Sequence, residues 1–273
     1  MKKTCINCIV FTFFVFFTTS VTAAGPRVVV SIAPLHSLVL ALMEGAAEPV
    51  LLYDKNVDSP QMDAFQKSLM ITADMVVWVG PELESPVAES LEKIPVTNRK
   101  VITLSKHMPL LAVSSSTPSN PLQLKRDPRF WSDPRLAIAA VQKITPELVR
   151  LDPEHQELYL DNEVALIKKL RNLEKEITAM LLPLNSIQES SIQDQYFSHR
   201  FVAHYPVSSS ETNGNFQTVS NKNLTSCSKA KRQQGTQLEM GTSLYFDAIY
   251  ETARILSTCT QETQLTKRHK VKI

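Results

Sequence analysis

Short apolar runs separated by helical spacing organise the first half of the chain. Val28-Val29-Val30-Ser31-Ile32 is β-branched and almost wholly apolar, the pattern of a buried parallel strand. Pro34 interrupts it, and apolar residues then recur at 35, 38, 39 and 42 before Gly45. That spacing predicts a helix from Leu35 to Glu44, with the glycine as its stop. Pro49–Tyr53, Asp74–Val79 and Lys100–Leu104 read as three more short strands, and Leu83–Ile94 as a helix. Strands alternating with helices predict an α/β lobe with a mostly parallel sheet. In open sheets of this kind ligands sit beyond the carboxyl ends of the strands. Ala33-Pro34, Asp54–Gln61 and Gly80-Pro81 fall at such ends.

Further along, Arg135–Ile144 reads as a helix. Asp152-Pro153-Glu154 is a helix start, with an acid at the N-cap and proline in the first turn. Leu160, Val164, Ile167, Leu170, Leu173, Ile177 and Leu181 follow at intervals of three or four. They predict one long helix from Pro153 to about Leu182, roughly 45 Å at 1.5 Å per residue. Ser114–Asn120 is a polar loop. Ser208–Gln237 is mostly Ser, Thr, Asn, Gln and Lys and offers little for a core. A last amphipathic helix, ending at Cys259, carries Tyr245, Ile249, Ala253 and Leu256 on one face. Lys267-Arg268-His269-Lys270 forms a basic tail.

The N-terminus changes the compartment. Lys2 and Lys3 precede an apolar run from Ile6 to Phe17, and Val21-Thr22-Ala23 places small residues at a cleavage site. This is the layout of a signal peptide over residues 1–23. Of the 29 Lys and Arg residues, Lys2 and Lys3 leave with the leader, and the remainder balance the 27 acidic residues. No charge excess and no motif recruits nucleic acid. No Gly-x-Ser-x-Gly, P-loop, Gly-x-Gly-x-x-Gly or His-Glu-x-x-His occurs, and only 6 glycines are present, so no enzyme is expected. Asp54, Asp58 and Asp63 read as a solvated acidic loop.

Several segments together carry a resemblance. They are the first strand with Pro34-Leu35-His36-Ser37-Leu38, Ser59-Pro60-Gln61, Val77-Trp78-Val79-Gly80-Pro81-Glu82-Leu83-Glu84, and Asp127-Pro128-Arg129-Phe130-Trp131-Ser132-Asp133-Pro134. In this order the chain resembles the periplasmic zinc-binding receptors of bacterial ABC importers, the zinc and manganese cluster. The resemblance covers about residues 27–184 and returns at 238–259. It implies two α/β lobes, mostly parallel, joined by one long backbone helix. The implied layout is an N-terminal lobe over 24–150, a linking helix over 151–184, and an incomplete C-terminal lobe over 185–273. The implied function is capture of zinc, or a related divalent metal, between the lobes of a periplasmic monomer. Delivery would be to a membrane permease.

Such receptors take three histidines from three loops. By position, Gln61 stands for the first and Arg129 for the second. His204, in Phe201-Val202-Ala203-His204-Tyr205, stands for the third; a rival alignment sets Gln193-Asp194-Gln195-Tyr196 at that loop instead. Gln61 offers only a neutral carbonyl oxygen, and a guanidinium has no lone pair to donate and would repel a cation. His36 sits after the first strand without being a family ligand. The family often carries one disulfide in its C-terminal lobe, and Cys227 and Cys259 are the two cysteines left after export into an oxidising compartment. Two alternatives stand beside metal capture. One is a divergent paralogue that binds no metal and acts as an accessory protein. The other is a small-molecule receptor in which Arg129 recruits an anion.

Overall fold

The computed structural model describes residues 25–53, 62–93, 100–114, 124–182, 201, 240–255 and 257. Four strands form one parallel sheet: β1 (Val28–Val30), β2 (Val50–Leu51), β3 (Met75–Trp78) and β4 (Lys100–Thr103), in the order β2-β1-β3-β4. Val29 aligns with both Val50 and Val76, and Val76 with Val101. All four predicted strands are present, each trimmed at its ends.

Helices cover both faces of the sheet. Val28, Val30, Met75 and Val77 point into the larger core, shared with helices α1 (Ala33–Leu42), α4 (Pro134–Leu151) and α5 (Gln156–Leu181). Val29, Val76 and Trp78 point the other way, onto Met70 of α2 (Ala64–Thr72) and Val87 of α3 (Ser85–Lys93). A strand buried on both faces has no polar alternation, and that is why β1 and β3 read as continuous apolar runs. Gly45 takes φ +86° just past α1, the left-handed turn that ends a helix.

Four details depart from the pattern. Helix α2 was not anticipated; its cap is Asp63, whose carboxylate accepts from Gln66 N while the Gln66 side chain accepts from Asp63 N. Asp63 is thus a helix cap and not part of a solvated acidic loop. An antiparallel hairpin of β5 (Ala112–Ser114) and β6 (Leu124–Arg126) brackets the polar loop and takes Ser114 into a strand. Helix α4 runs on past Pro146 to Leu151. The long helix begins only at Gln156, after a 3-10 turn over Pro153–His155. Asp152 makes no side-chain cap; its carboxylate instead accepts from Tyr159 Oη at 2.7 Å and pairs with His155 Nδ1 at 2.8 Å.

The buried stripe of α5 is also rotated at its start. Tyr159 and Leu166 are buried, whereas Leu160 and Val164 are exposed. The cause lies on α1: Asn162 Nδ2 donates to the carbonyls of Leu42 and Glu44 at its end, fixing which face turns inward. From Leu170 onward the stripe follows the expected spacing through Leu173, Ile177 and Leu181.

A final helix, α6, covers 244–255. Tyr245, Ile249 and Ala253 are buried on its inner face, as the pattern implied, and Leu256 lies outside the described residues. One hydroxyl seats it. Ser37 Oγ on α1 donates to Thr242 O and accepts from Tyr245 N, both at 3.1 Å. Ser37→Ala should therefore cost about 1–3 kcal/mol in urea unfolding, because a buried amide and carbonyl lose their partner. A change below about 0.5 kcal/mol would show that the hydroxyl does not hold α6.

Candidate functional site

Parallel pairing brings every strand's carboxyl end to one rim. The chain leaves β1 through Ser31, β2 through Leu52-Tyr53, β3 through Val79-Gly80 and β4 through Leu104-Ser105. Hydrogen bonds extend the ladders to these positions: Ser31 N to Val77 O, Tyr53 N to Ser31 O and Ser105 N to Val79 O. Trp78 Nε1 also donates to Thr103 Oγ1 at 2.9 Å across β3 and β4.

Gly80 makes the turn out of β3 possible. Its φ is +151°, and a Cβ there would lie 2.1 Å from Ser105 Oγ and 2.7 Å from Glu82 Oε2. Those two atoms hydrogen-bond each other at 2.9 Å, so a Cβ at Gly80 would have to displace that contact. Beneath the turn lies Glu84, buried at 2% exposure. Its Oε2 accepts from Val79 N at 2.8 Å and Gly80 N at 3.3 Å. Burial pushes its carboxyl up to about 7, against the opposing pull of the Ser31 hydroxyl and the two amides. Among the described residues, Oε1, the buried Ser31 Oγ and the buried Tyr53 Oη have no partner at hydrogen-bond distance. In the sequence Glu84 stands only as the last residue of the Val77–Glu84 motif. An acid placed just past a buried strand and a Gly-Pro turn was the available signal.

Arg129 lies on the segment that leaves β6. Asp127 N donates to Leu111 O across the hairpin mouth and fixes where that segment starts. Asp127 accepts from Arg129 three times: Arg129 N at 2.9 Å and Nε at 3.0 Å on Oδ1, and Nη2 at 2.8 Å on Oδ2. The Asp127 side chain is 2% exposed and that of Arg129 43%. The lone positive charge expected at this position is therefore a forked ion pair, held by a buried carboxylate two residues back. Repulsion of a cation is correspondingly less than a bare guanidinium would give. The same fork repeats six residues on, where Arg135 clasps Asp133, which also caps α4.

Next to Arg129, the Trp131 carbonyl accepts from Tyr245 Oη of α6 at 2.7 Å. Trp131, Ser132, Pro34, Tyr245, Ala248, Ile249 and Thr252 line a cavity of about 180 Å³ between α6 and the start of α1. Its wall is mainly apolar and aromatic. Among the described residues no three His, Cys, Asp or Glu side chains are grouped to hold a metal ion. Gln61, His204, Cys227 and Cys259 lie outside the described residues. Phe201, three residues before His204, packs into the larger core. His36 turns away from ligand duty and pairs Nε2 with Pro49 O at 2.9 Å. Among the described residues no helix is long and apolar enough to cross a membrane.

Residues 28–238 match the profile of a family described as ZnuA, zinc-uptake complex component A, periplasmic. The high-affinity zinc uptake system protein ZnuA of Brucella abortus is 27% identical over 221 aligned positions, covering 65% of this chain and 66% of that protein. Its counterpart in Paracoccus denitrificans is 24% identical, covering 67% and 65%. The chain thus spans about two thirds of the length of these relatives, just short of that fraction. Among solved structures, an FpvC mutant from Pseudomonas aeruginosa superposes with a TM-score of 0.63 at 18% identity, over 86% of this chain and 99% of that one. The AdcAII protein of Streptococcus pneumoniae superposes at 0.52 and 24% identity, over 66% of each. At such identities the structures establish the α/β fold.

Gly80→Ala should destabilise the chain by about 3 kcal/mol, combining a disfavoured φ with overpacking against Ser105 and Glu82. Chemical denaturation reads it. Recovery in Gly80→Ala with Ser105→Ala would locate the clash, and no loss in the single variant would refute this account of the turn.

Proposed function

We propose, for a chain that belongs to the family of periplasmic zinc-uptake component A, that it is the solute-binding component of a zinc or related divalent-metal importer. On this reading it is a monomer and not an enzyme. It leaves the cytoplasm through the signal peptide at 1–23 and passes its cargo to an ABC permease. The observation that carries the reading is the rim. The segment bearing Arg129 is fixed by Asp127 and Leu111 and braced by Tyr245 from α6, and its Trp131 shares a cavity wall with Pro34 just past β1. A ligand shared between the sheet and the C-terminal part of the chain would meet that segment.

The donor set sets the strength. Zinc prefers imidazole, thiolate and carboxylate donors. Arg129 supplies none, Gln61 a weak one, and His204 one imidazole. Affinity should fall well below what three imidazoles give. Calorimetry against a competing chelator measures it. A tight one-to-one site abolished by His204→Ala would show that other side chains complete the shell.

Restoring Gln61→His and Arg129→His together should rebuild the site. The second change also sets an imidazole beside the buried Asp127 carboxylate, the arrangement that orients metal-bound histidines. Metal that binds only the folded state raises the melting temperature with the logarithm of free zinc. The double variant should show that rise and the parent little. Absence of the rise in a folded double variant would remove His204 as the third ligand.

Cys227 and Cys259 should form one disulfide, closing a loop of about 30 residues and adding a few kcal/mol in the loop-entropy account. A thiol titration of the unreduced, denatured mature chain should find none. Two reactive thiols would end the assignment.

A further inference from the structure

The buried cluster at the carboxyl ends of β1, β2 and β3 has no role in the donor set. Ser31 is 0%, Tyr53 6% and Glu84 2% exposed. Among the described residues, Ser31 Oγ, Tyr53 Oη and Glu84 Oε1 have no partner at hydrogen-bond distance. The strand ends are neighbours: Tyr53 N donates to Ser31 O at 3.1 Å, burial and then the Glu84 charge push the Tyr53 phenol up to about 12, and burial pushes the Glu84 carboxyl up against a smaller opposing pull from the Ser31 hydroxyl. No cationic side chain pairs with Glu84 among the described residues. Two acidic residues lie close by. Asp63 caps α2 and acts on Tyr53, and Glu82 in the same turn is held by Ser105. A buried carboxylate is stabilised by an ion partner or it stays protonated.

We propose that this cluster is a proton site: Glu84 holds a proton in the folded chain, and losing it to solvent places a negative charge at the rim of the sheet. In the neutral form the proton sits on Oε1, away from the two amides, with the Ser31 and Tyr53 hydroxyls as the nearby unpartnered groups. In the charged form Oε1 becomes an acceptor, and both hydroxyls can turn toward it while Oε2 keeps the Val79 and Gly80 amides. The rim therefore gains one unit of negative charge, and a reordered Tyr53, as pH rises. On the reading that the rim takes a divalent cation, capture strengthens with rising pH beyond what imidazole deprotonation supplies, and metal binding expels the Glu84 proton.

The stability consequence has a definite sign. The folded chain releases its proton near 7, whereas the unfolded chain does so near its ordinary 4.5. Stability from this group is thus present at low pH and is lost as pH rises through that window. Glu84→Gln, which keeps an acceptor for the two amides and cannot ionise, should lack that loss.

The direct test is an NMR titration of the metal-free chain, carboxyl-labelled at glutamate, from pH 5 to 9. One glutamate carbon should titrate with a midpoint near 7 and vanish in Glu84→Gln, and the Tyr53 ring signals should move with the same midpoint. Tyr53→Phe, which removes a donor to the charged form, should push that midpoint up. No glutamate titrating above about pH 5.5, or a resonance near 7 that survives in Glu84→Gln, overturns the proton site. A Glu84 midpoint unmoved by Tyr53→Phe overturns its coupling to Tyr53. Zinc calorimetry at pH 6 and 8 completes the comparison. The gain in affinity should be larger in the parent than in Glu84→Gln, and equal gains overturn the link to capture. No zinc binding in either, with the NMR midpoint intact, would dismiss the transport reading and leave the proton site standing.

Discussion

Parallel pairing of β1 with β2 on one side and β3 on the other is the constraint on which the site depends. A parallel ladder cannot be closed by a hairpin. Each connection must cross back over a face, and each strand must end at the same rim. Helices α1, α2 and α3 make those crossings, and they bury both faces of the sheet in two separate apolar clusters. The rim is then a border where backbone turns and buried polar groups of the described residues meet. A ligand that needs polar contacts has that border available, because the faces are already filled.

The rim is held by polar interactions of unusual economy. One carboxylate oxygen of Glu84 gathers two amides of the turn after β3, and one glycine admits the Ser105–Glu82 contact against which any side chain would collide. On the other flank, Asp127 fastens both its hairpin and Arg129. An aspartate that accepts a backbone amide and both edges of a guanidinium has little capacity left for a metal. The fork therefore explains how a fixed cation is accommodated at a rim whose relatives are named for zinc uptake: it is neutralised locally, by the residue two places earlier. The repeat of the fork at Asp133 and Arg135 shows that Asp-Pro-Arg is itself the cause. The backbone turn at proline presents the arginine's own amide and side chain to the same carboxylate.

Among the described residues, two hydroxyl groups tie helix α6 to α1 and to the Arg129 segment. Ser37 bonds both a carbonyl and an amide at its start, and Tyr245 reaches the Trp131 carbonyl. Together they tie the end of the chain to α1 and to the Arg129 segment, over a sequence separation of more than two hundred residues in the first case. Long-range polar ties of this kind couple the geometry of the rim to the packing of the last helix. The cavity beside Trp131 is bounded on one side by each.

Much of the fold was legible because it rests on local pattern. The β-branched runs at Val28, Val76 and Val101 fixed the strands, and the spacing of Leu170, Leu173, Ile177 and Leu181 fixed the later half of α5, since burial on a sheet or a helix stripe selects for those periods. The motifs around Trp78 and Asp127 likewise pointed to the family before any coordinates. What the sequence could not reveal were choices made by distant partners. Asn162 bonding to α1 rotated the start of α5, so that Leu160 and Val164, apolar and correctly spaced, face solvent. Asp152 looked like a cap and instead serves Tyr159. Arg129 looked like a bare charge, although its neutraliser stood two residues away, because only the turn at Pro128 brings the carboxylate onto the guanidinium. Glu84 shows the same limit most clearly: its chemistry comes from burial beside Ser31 and Tyr53, side chains of two other strand ends. Periodicity records how much of each side chain is buried, whereas tertiary contact decides against what, and the character of an ionisable group depends on the second.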